Sequence, residues 1–232
     1  KADDVTYFML WGFPISMIGS RLYYFLVDLP QYIADPIQIF NIRSGGLAIY
    51  GGLIAGAITL YFFTKYHFIS LWTFLDIAAP SVLLAQAIGR WGNFMNHEAY
   101  GPDTTRSFLE SLHLPQFIID NMYIEGIYRQ PTFLYESLWS LIGFILLLFL
   151  RKKPHLLKKG EVLLCYLMWY SFGRFFIEGL RTDSFYFLGV IRISQLLSAV
   201  LFVGTLILFI WRRKKGNLPD YDRSLGKNQQ II

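Results

Sequence analysis

Long apolar runs dominate this chain, and most polar residues are collected in the segments between them. A helix needs about 20 apolar residues to cross the hydrocarbon core of a bilayer. Six runs reach that length, and none repeats another. They are Val5–Leu26, Gly45–Thr64, Leu71–Trp91, Thr132–Leu150, Glu161–Leu180 and Ile191–Trp211. The pattern therefore predicts an all-α polytopic membrane protein with six transmembrane helices.

The polar segments predict a single transmembrane domain over residues 1–215, with an insert and a tail. Residues 93–131 are too polar to cross a bilayer and form the predicted insert. Within the insert, Phe108–Tyr123 carries apolar residues at helical spacing among charged ones. That spacing favours an amphipathic segment lying at the membrane interface. Residues 216–232 are polar and predict a mobile cytoplasmic tail.

Composition supports the membrane interpretation. Hydrophobic residues make up 54% of the 232 residues and charged residues only 16%, against roughly a quarter charged in soluble domains. The net charge of +5 is concentrated in two clusters, Arg151–Lys159 and Trp211–Lys215. Each adjoins a long apolar run, which favours a membrane surface over nucleic acid as its partner. The single cysteine, Cys165, excludes an internal disulfide and is interpreted as a packing residue.

The basic clusters also predict an orientation, because Lys and Arg near helix ends favour the cytoplasmic side. Placing Trp211–Lys215 in the cytoplasm places Arg151–Lys159 there too, since two spans separate them. The insert then faces outward, and Lys1 lies inside. If the whole protein has an external N-terminus, we expect one further span before this chain.

Charged residues inside the predicted spans need an explanation, because an Arg at the centre of a membrane helix costs about 2.5–3.5 kcal/mol on insertion scales. Nearly all lie in the outward half, and arginines outnumber carboxylates. They are Arg21, Arg90, Arg174, Arg181, Arg192, Glu136 and Glu178. Guanidinium groups bind phosphate through paired hydrogen bonds. A phospholipid head group is therefore the expected ligand.

These charged residues are not equal candidates. Arg90 and Arg174 are the strongest, because they coincide with motifs described below. Glu178 and Arg181 follow Arg174 at i+4 and i+7, which predicts one helix face for the three. Arg21 and Arg192 are instead expected to extend to the head groups as ordinary interfacial arginines.

Two glycine-containing segments complete the candidate site. In the segment 89–101, glycines surround three polar side chains, which favours a polar pocket at a helix end broken by glycine. The alternative is a capped helix end followed by a loop. These residues are Gly89, Gly92, Asn93, Asn96, Glu98 and Gly101. Gly45–Gly56 is typical of close helix packing, and its Tyr50 is either an interfacial anchor or a hydroxyl that faces the cavity.

The segment GRWGNFMNHEAYG, Gly89–Gly101, resembles the signature of bacterial prolipoprotein diacylglyceryl transferases. Further segments resemble that family in the same order, and together they extend from about Ser20 to Arg213. These are LPQYIADPIQIF at Leu29–Phe40, GGLAIYGGLIAG at Gly45–Gly56, QPTFLYESLW at Gln130–Trp139 and GRFFIEGLRTD at Gly173–Asp183.

The resemblance implies a reaction in the bacterial cytoplasmic membrane. Members of the family transfer the diacylglyceryl group of phosphatidylglycerol to the lipobox cysteine of a preprolipoprotein. A thioether forms and glycerol phosphate leaves, with no cofactor or metal. The family has seven spans, an external N-terminus and a cytoplasmic C-terminus. This agrees with the orientation above and implies that the family's first span is missing from this chain.

The resemblance also implies roles for individual residues. Arg90 and Arg174 correspond to phosphate-binding arginines, and Asn93, Asn96 and Gly101 fall on polar and glycine positions of the signature. Glu178 would orient an arginine through a buried pair, and Arg181 would add to the head-group site.

The base that takes the thiol proton stays open, because Tyr50 stands where many members have histidine. Tyrosine, with a reference pKa near 10, is a poor base at neutral pH. Glu98, His97 or the field of the arginines are the candidates. Outside this family, a transporter or flippase of anionic lipids is the main alternative. A lipid phosphatase or phosphatidyl transferase would need a metal or histidine centre.

Overall fold

The computed structural model describes residues 2–29, 46–181, 186–187, 191–216 and 218–221. Its helices and strands, in chain order, are α1 Ala2–Val27, α2 Ile49–Tyr66, α3 Leu71–Asn96, β1 Asp103–Thr104, α4 Arg106–Ser111, α5 Gln116–Asn121, β2 Tyr123–Ile124, β3 Ile127–Arg129, α6 Thr132–Lys152, α7 Glu161–Glu178, β4 Tyr186–Phe187, β5 Ile191–Arg192 and α8 Ile193–Lys214. Each predicted span coincides with one long helix, so the mainly helical fold class is confirmed.

By length and composition, α3, α6 and α8 are apolar enough to cross a membrane, among the described residues. The other three long helices, α1, α2 and α7, do not meet that criterion, and α1 for example carries Asp3, Asp4 and Arg21. The prediction of a membrane protein is thus supported by three helices, and the count of six spans stays a prediction.

Helix α3 continues beyond its predicted end at Trp91 to Asn96. It passes through Gly89 and Gly92, so the interpretation of a helix broken by these glycines is wrong. A single glycine inside a helix costs only about 1 kcal/mol, and a Cβ at either position would meet no atom within 4 Å among the described residues. Asn93 and Asn96 are therefore helical residues.

The chain divides into two compact units, residues 1–74 and 75–232. In the first unit, α1 and α2 approach so closely that a Cβ on Gly19 would lie 2.3 Å from Cβ of Ala55. A Cβ on Gly52 would lie 2.5 Å from Oγ of Ser20. The predicted small-residue packing of Gly45–Gly56 is confirmed. Most of the segment Leu29–Phe40 lies outside the described residues.

Arg21, also in the first unit, does not follow the prediction made for it. Its side chain is buried, and Nη1 donates a hydrogen bond to the carbonyl oxygen of Gly46 at 2.9 Å. The expectation that this arginine extends to the head groups is therefore wrong. Its guanidinium holds the backbone just before α2.

The insert in the second unit folds around an apolar core that it shares with the end of α3 and the start of α6. Strands β1, β3 and β2 pair antiparallel in that order, and α4 and α5 pack against them. The core residues are Phe94, Leu109, Ile118, Ile119, Met122, Ile124 and Phe133. The expected amphipathic segment Phe108–Tyr123 contains two short helices, which bury Leu109, Ile118 and Ile119 in this core and leave Phe117 exposed. The segment is thus two helices rather than one, and its position at the membrane interface stays a prediction.

Asp76, Glu161 and Arg213, here called the capping cluster, join α3, α7 and α8. The Asp76 carboxylate accepts hydrogen bonds from the backbone N–H groups of Gly160 at 2.5 Å and Leu163 at 2.9 Å. It thereby satisfies amides that α7 leaves unpaired at its N-terminus. Glu161 is fully buried and accepts two hydrogen bonds from Arg213, from Nε and Nη2, both at 2.8 Å.

The start of the polar tail packs beside the capping cluster. Tyr221 is buried among apolar residues, and its N–H donates to the carbonyl oxygen of Leu157 at 2.9 Å. His155 Nδ1 lies 2.7 Å from Oδ2 of Asp220. The prediction of a mobile tail is therefore wrong for residues 218–221. The rest of the tail, residues 222–232, lies outside the described residues.

Candidate active site

Four charged side chains from three helices of the second unit meet in one group, here called the arginine cluster. It consists of Arg90 on α3, Glu136 on α6, and Arg174 and Glu178 on α7. Arg90 Nε lies 2.8 Å from Oε2 of Glu136, and Arg174 Nη1 lies 3.3 Å from Oε1 of the same carboxylate. Arg174 Nη2 lies 2.6 Å from Oε2 of Glu178. Glu136 thus bridges the two arginines.

The carboxylates of the arginine cluster are buried, whereas its guanidinium groups reach the surface. Glu136 is 7% exposed and Glu178 only 2%, while the side chains of Arg90 and Arg174 are 22% and 17% exposed. Each guanidinium carries five N–H donors, more than the two carboxylates occupy. The cluster can therefore hold its shape through the carboxylates and still present donors to an anion.

A third arginine lies beside the cluster. Arg192, at the start of α8, donates a hydrogen bond to the backbone carbonyl of Glu178 through Nη1. The expectation that Arg192 only extends to the head groups is therefore wrong. With Arg192, three guanidinium groups and two carboxylates lie in this region, which keeps the excess of positive charge that the sequence predicts.

A cavity of about 20 Å³ lies within the arginine cluster, with walls that include Gln86, Ser140 and Tyr170. Such a volume holds about one water molecule, so a phosphate group does not fit inside it. An anionic head group has to bind at the rim, where the two guanidinium groups are exposed. Gln86 Nε2 donates a hydrogen bond to Oη of Tyr166 at 3.2 Å.

The register of α6 and α7, which sets Glu136 against Arg174, is fixed by a reciprocal tryptophan contact. The indole N–H of Trp139 donates to the carbonyl of Trp169 at 3.0 Å, and the indole N–H of Trp169 donates to the carbonyl of Trp139 at 3.0 Å. The two rings stack with centroids 4.2 Å apart. Helix rise is about 1.5 Å per residue, so a shift of one residue would break both hydrogen bonds.

Glycines make room for this contact. A Cβ on Gly173 would lie 2.1 Å from Nε1 of Trp139, and a Cβ on Gly143 would lie 2.3 Å from Nε1 of Trp169. Each tryptophan precedes a glycine by four residues, in WSLIG and WYSFG. Gly173 directly precedes Arg174, so the contact fixes the backbone from which the Arg174 side chain leaves.

Amide side chains connect the arginine cluster to the beginning of the insert. Arg90 Nη1 donates to Oδ1 of Asn93 at 3.4 Å. Asn93 Nδ2 and Asn96 Nδ2 both donate to Oε1 of Glu98, at 3.0 and 3.3 Å. The Glu98 carboxylate is therefore linked to the Arg90 guanidinium through two successive hydrogen bonds, with Asn93 between them. Its neighbour His97 has φ of +53°, a left-handed conformation that turns the chain sharply after α3.

The remaining predicted site residues have other positions. Gly101 packs tightly, because a Cβ there would lie 2.9 Å from Cβ of Gln130, and its N–H donates to the Gln130 carbonyl at 3.0 Å. Arg181 lies beyond α7, which ends at Glu178, so the expected shared helix face does not extend to it. Tyr50 belongs to the first unit and is 58% exposed. Its predicted role in lipid binding stays a prediction.

Glu136 is the residue that sequence reasoning underrated. It was recognised as an intramembrane charge but not assigned to the site, and the orienting role was given to Glu178 alone. The signal was present in QPTFLYESLW, where Glu136 is the acidic residue of an apolar run. A buried carboxylate needs a cation nearby, and the arginines that Glu136 contacts are Arg90 and Arg174, the two strongest candidates in the sequence.

Comparison with known proteins identifies the family of this chain. Residues 1–211 match the model of a family described as prolipoprotein diacylglyceryl transferase. The chain belongs to that family. A phosphatidylglycerol–prolipoprotein diacylglyceryl transferase of Enterococcus faecalis is 65% identical over 99% of this chain and 82% of its own length. The proteins of that name from Streptococcus suis and Limosilactobacillus reuteri are 55% and 53% identical, over 95% and 97% of this chain and 81% and 82% of theirs.

Membership confirms the resemblance carried by Gly89–Gly101 and makes the chain a transferase of a bacterial membrane family. It sets aside the transporter and the phosphatase as alternatives. All members of the arginine cluster lie inside the matched residues.

Proposed function

We propose that this chain transfers the diacylglyceryl group from phosphatidylglycerol to the lipobox cysteine of a preprolipoprotein in the bacterial cytoplasmic membrane. The arginine cluster carries the proposal. It combines two partly exposed guanidinium groups with buried carboxylates that hold them in place. Six transmembrane helices, with this cluster toward the outer face, an insert outside and a cytoplasmic C-terminus, give the arrangement that the reaction needs.

The proposed chemistry is a substitution at a glyceryl carbon. The cysteine sulfur forms a bond to the glyceryl CH₂, and the bond between that carbon and the phosphate-ester oxygen breaks, with its electron pair passing to the oxygen. Glycerol phosphate leaves, and the thiol proton passes to a base. Negative charge grows on the phosphate as the bond breaks, and oriented cations stabilise that charge most in the transition state.

Arg90 and Arg174 are the residues that bind this phosphate. Glu136 and Glu178 are positioning residues, since they hold the guanidinium groups without reaching the surface themselves. Asn93, Asn96, Gly101 and Arg181 shape the head-group site. Tyr50 orients the lipid through its hydroxyl.

Glu98 is the group we assign to accept the thiol proton. It ends the chain of hydrogen bonds that begins at Arg90, and this link to a proposed phosphate-binding arginine supports the assignment. Glu98→Gln should lose most activity at neutral pH and regain it as pH rises, because hydroxide then removes the thiol proton from a thiol of pKa near 8.5. An unchanged pH profile would assign Glu98 to positioning alone.

The reaction itself is tested by incubating the purified protein with phosphatidylglycerol and a lipobox peptide, followed by mass spectrometry. The expected product is a peptide heavier by one diacylglyceryl group, attached to cysteine. A matched peptide with serine in place of cysteine should stay unmodified. Release of diacylglycerol without peptide modification, or modification of the serine peptide, would contradict the proposal.

A further inference from the structure

An apolar groove lies between α6, α7 and α8, next to the arginine cluster. Its volume is about 320 Å³, and its walls include Trp139, Gly143, Leu146 and Leu150 of α6, Met168 of α7 and Phe202 of α8. Leu146 and Phe172 on its rim remain exposed, so the groove is open along one side. All of it lies within the second unit.

The groove and the arginine cluster share a wall. Trp139 lines both the groove and the small polar cavity at Arg90 and Arg174. Its ring is fixed by the reciprocal contact with Trp169, which also borders the groove. A ligand whose anionic group binds the arginines therefore has the apolar groove directly beside that group.

The size of the groove corresponds to a fatty-acyl chain. From Trp139 to Leu150, α6 rises about 16 Å, close to half of the roughly 30 Å hydrocarbon core of a bilayer, which is the depth that one acyl chain fills. A water molecule's share of liquid volume is about 30 Å³. A methylene group is of similar size, so the groove accommodates on the order of ten methylenes.

We infer that this groove binds one acyl chain of the phospholipid donor and selects donors by chain length. The inference rests on the proposed function, since it takes the arginine cluster as the head-group site. Cationic groups at one end and an apolar slot of one-leaflet length at the other match the two parts of an anionic phospholipid. Trp139 marks the boundary between them, where the glycerol backbone lies.

The test compares phosphatidylglycerol with dioctanoyl and dipalmitoyl chains, presented at equal mole fraction in dodecyl maltoside micelles. Leu146→Trp places a bulky ring in the groove. The ring overfills the groove when a long chain enters, and overpacking of this kind should lower kcat/KM for the dipalmitoyl donor about tenfold. The dioctanoyl donor, which does not reach Leu146, should lose less than about twofold.

Leu141→Trp is the matched control. Leu141 is 39% exposed and Leu146 38%, but the two side chains lie about 140° apart around the helix at 100° per residue. Leu141→Trp should leave kcat/KM for both donors unchanged. Met168→Trp, on the opposite wall, should reproduce the chain-length effect and serves if Leu146→Trp fails to fold.

Three results would overturn the inference: equal losses for both donors in Leu146→Trp, equal effects of Leu141→Trp and Leu146→Trp, or no effect of filling the groove from either wall. Failure of the proposed function would look different. In that case the unmodified protein would transfer neither donor to the peptide.

Discussion

The second unit contains two buried groups of charged side chains that differ in what surrounds them. In the capping cluster, Asp76 accepts from two backbone amides of α7 and Glu161 receives two hydrogen bonds from Arg213. In the arginine cluster, Glu136 and Glu178 fix two guanidinium groups that still reach the surface beside a small cavity. The first completes a helix end, and the second leaves guanidinium N–H donors at the surface.

The difference shows that burial of charge alone does not mark a functional site. Glu161 is more deeply buried than Glu136, yet it stabilises the junction of α7 and α8. What distinguishes the arginine cluster is unused hydrogen-bonding capacity at its rim. The comparison predicts that substitutions in the arginine cluster mainly lower activity, whereas substitutions in the capping cluster mainly lower stability.

Arg174→Gln should have the largest effect. Loss of an oriented group that stabilises transition-state charge typically lowers kcat by roughly 10²–10³-fold. Thioether formation on a lipobox peptide is the measurement. Arg174→Lys keeps a positive charge for Glu136 and Glu178 but loses the planar fork, so it should stay folded and still lose most activity. Full activity in Arg174→Lys would contradict paired phosphate binding.

Glu161→Gln should act on stability instead. It removes a hydrogen-bonded carboxylate from beside Arg213, and hydrogen bonds to charged groups contribute roughly 1.5–3 kcal/mol. The free energy of unfolding in detergent should fall by about 2 kcal/mol. Activity per folded molecule should stay at the level of the unmodified protein. A specific loss of kcat would assign this cluster to catalysis as well.

Trp139→Phe should have an intermediate effect. It keeps most of the stacked ring and removes the N–H that donates to the Trp169 carbonyl, which costs about 1 kcal/mol of stability. Because the contact fixes the register of α6 and α7, kcat should fall about tenfold while KM for the peptide stays constant. Trp72→Phe, outside the second unit, is the comparison for a general effect of losing an indole.

Arg106→Gln should have the smallest effect. Arg106 and Glu110 form an i,i+4 pair like Arg174 and Glu178, but both side chains are 51% exposed. Exposed pairs of this kind contribute about 0.3–0.5 kcal/mol. Neither the unfolding midpoint nor thioether formation should change measurably. An activity loss near that of Arg174→Gln would show that the assay responds to any lost arginine rather than to the site.

Much of the fold was predictable from the sequence, because the apolar runs are long enough to specify helices without tertiary information. The end of α3 was not, since Gly89 and Gly92 read as helix breakers although the helix continues through both to Asn96. The folded core of the insert was also missed. Leu109 and Ile118 have helical spacing whether they face a lipid surface or a core.

The site was predictable in its arginines and less so in its carboxylates. Arg90 and Arg174 stand out because charge is costly inside a span. The bridge through Glu136 depends on the relative register of α6 and α7, which the tryptophans and glycines set by three-dimensional fit. Sequence spacing within one helix predicts that Arg174 pairs with Glu178, four residues later. It cannot predict that Glu136, on another helix, lies within contact distance of Arg174.

The most direct test of the account measures thioether formation and unfolding side by side for Arg174→Lys and Glu161→Gln. We predict that Arg174→Lys unfolds close to the unmodified protein but forms thioether at less than about a hundredth of its rate. Glu161→Gln should unfold more easily yet match the unmodified rate per folded molecule. If both variants lose activity only in proportion to the folded fraction, the arginine cluster is structural and the central claim is wrong.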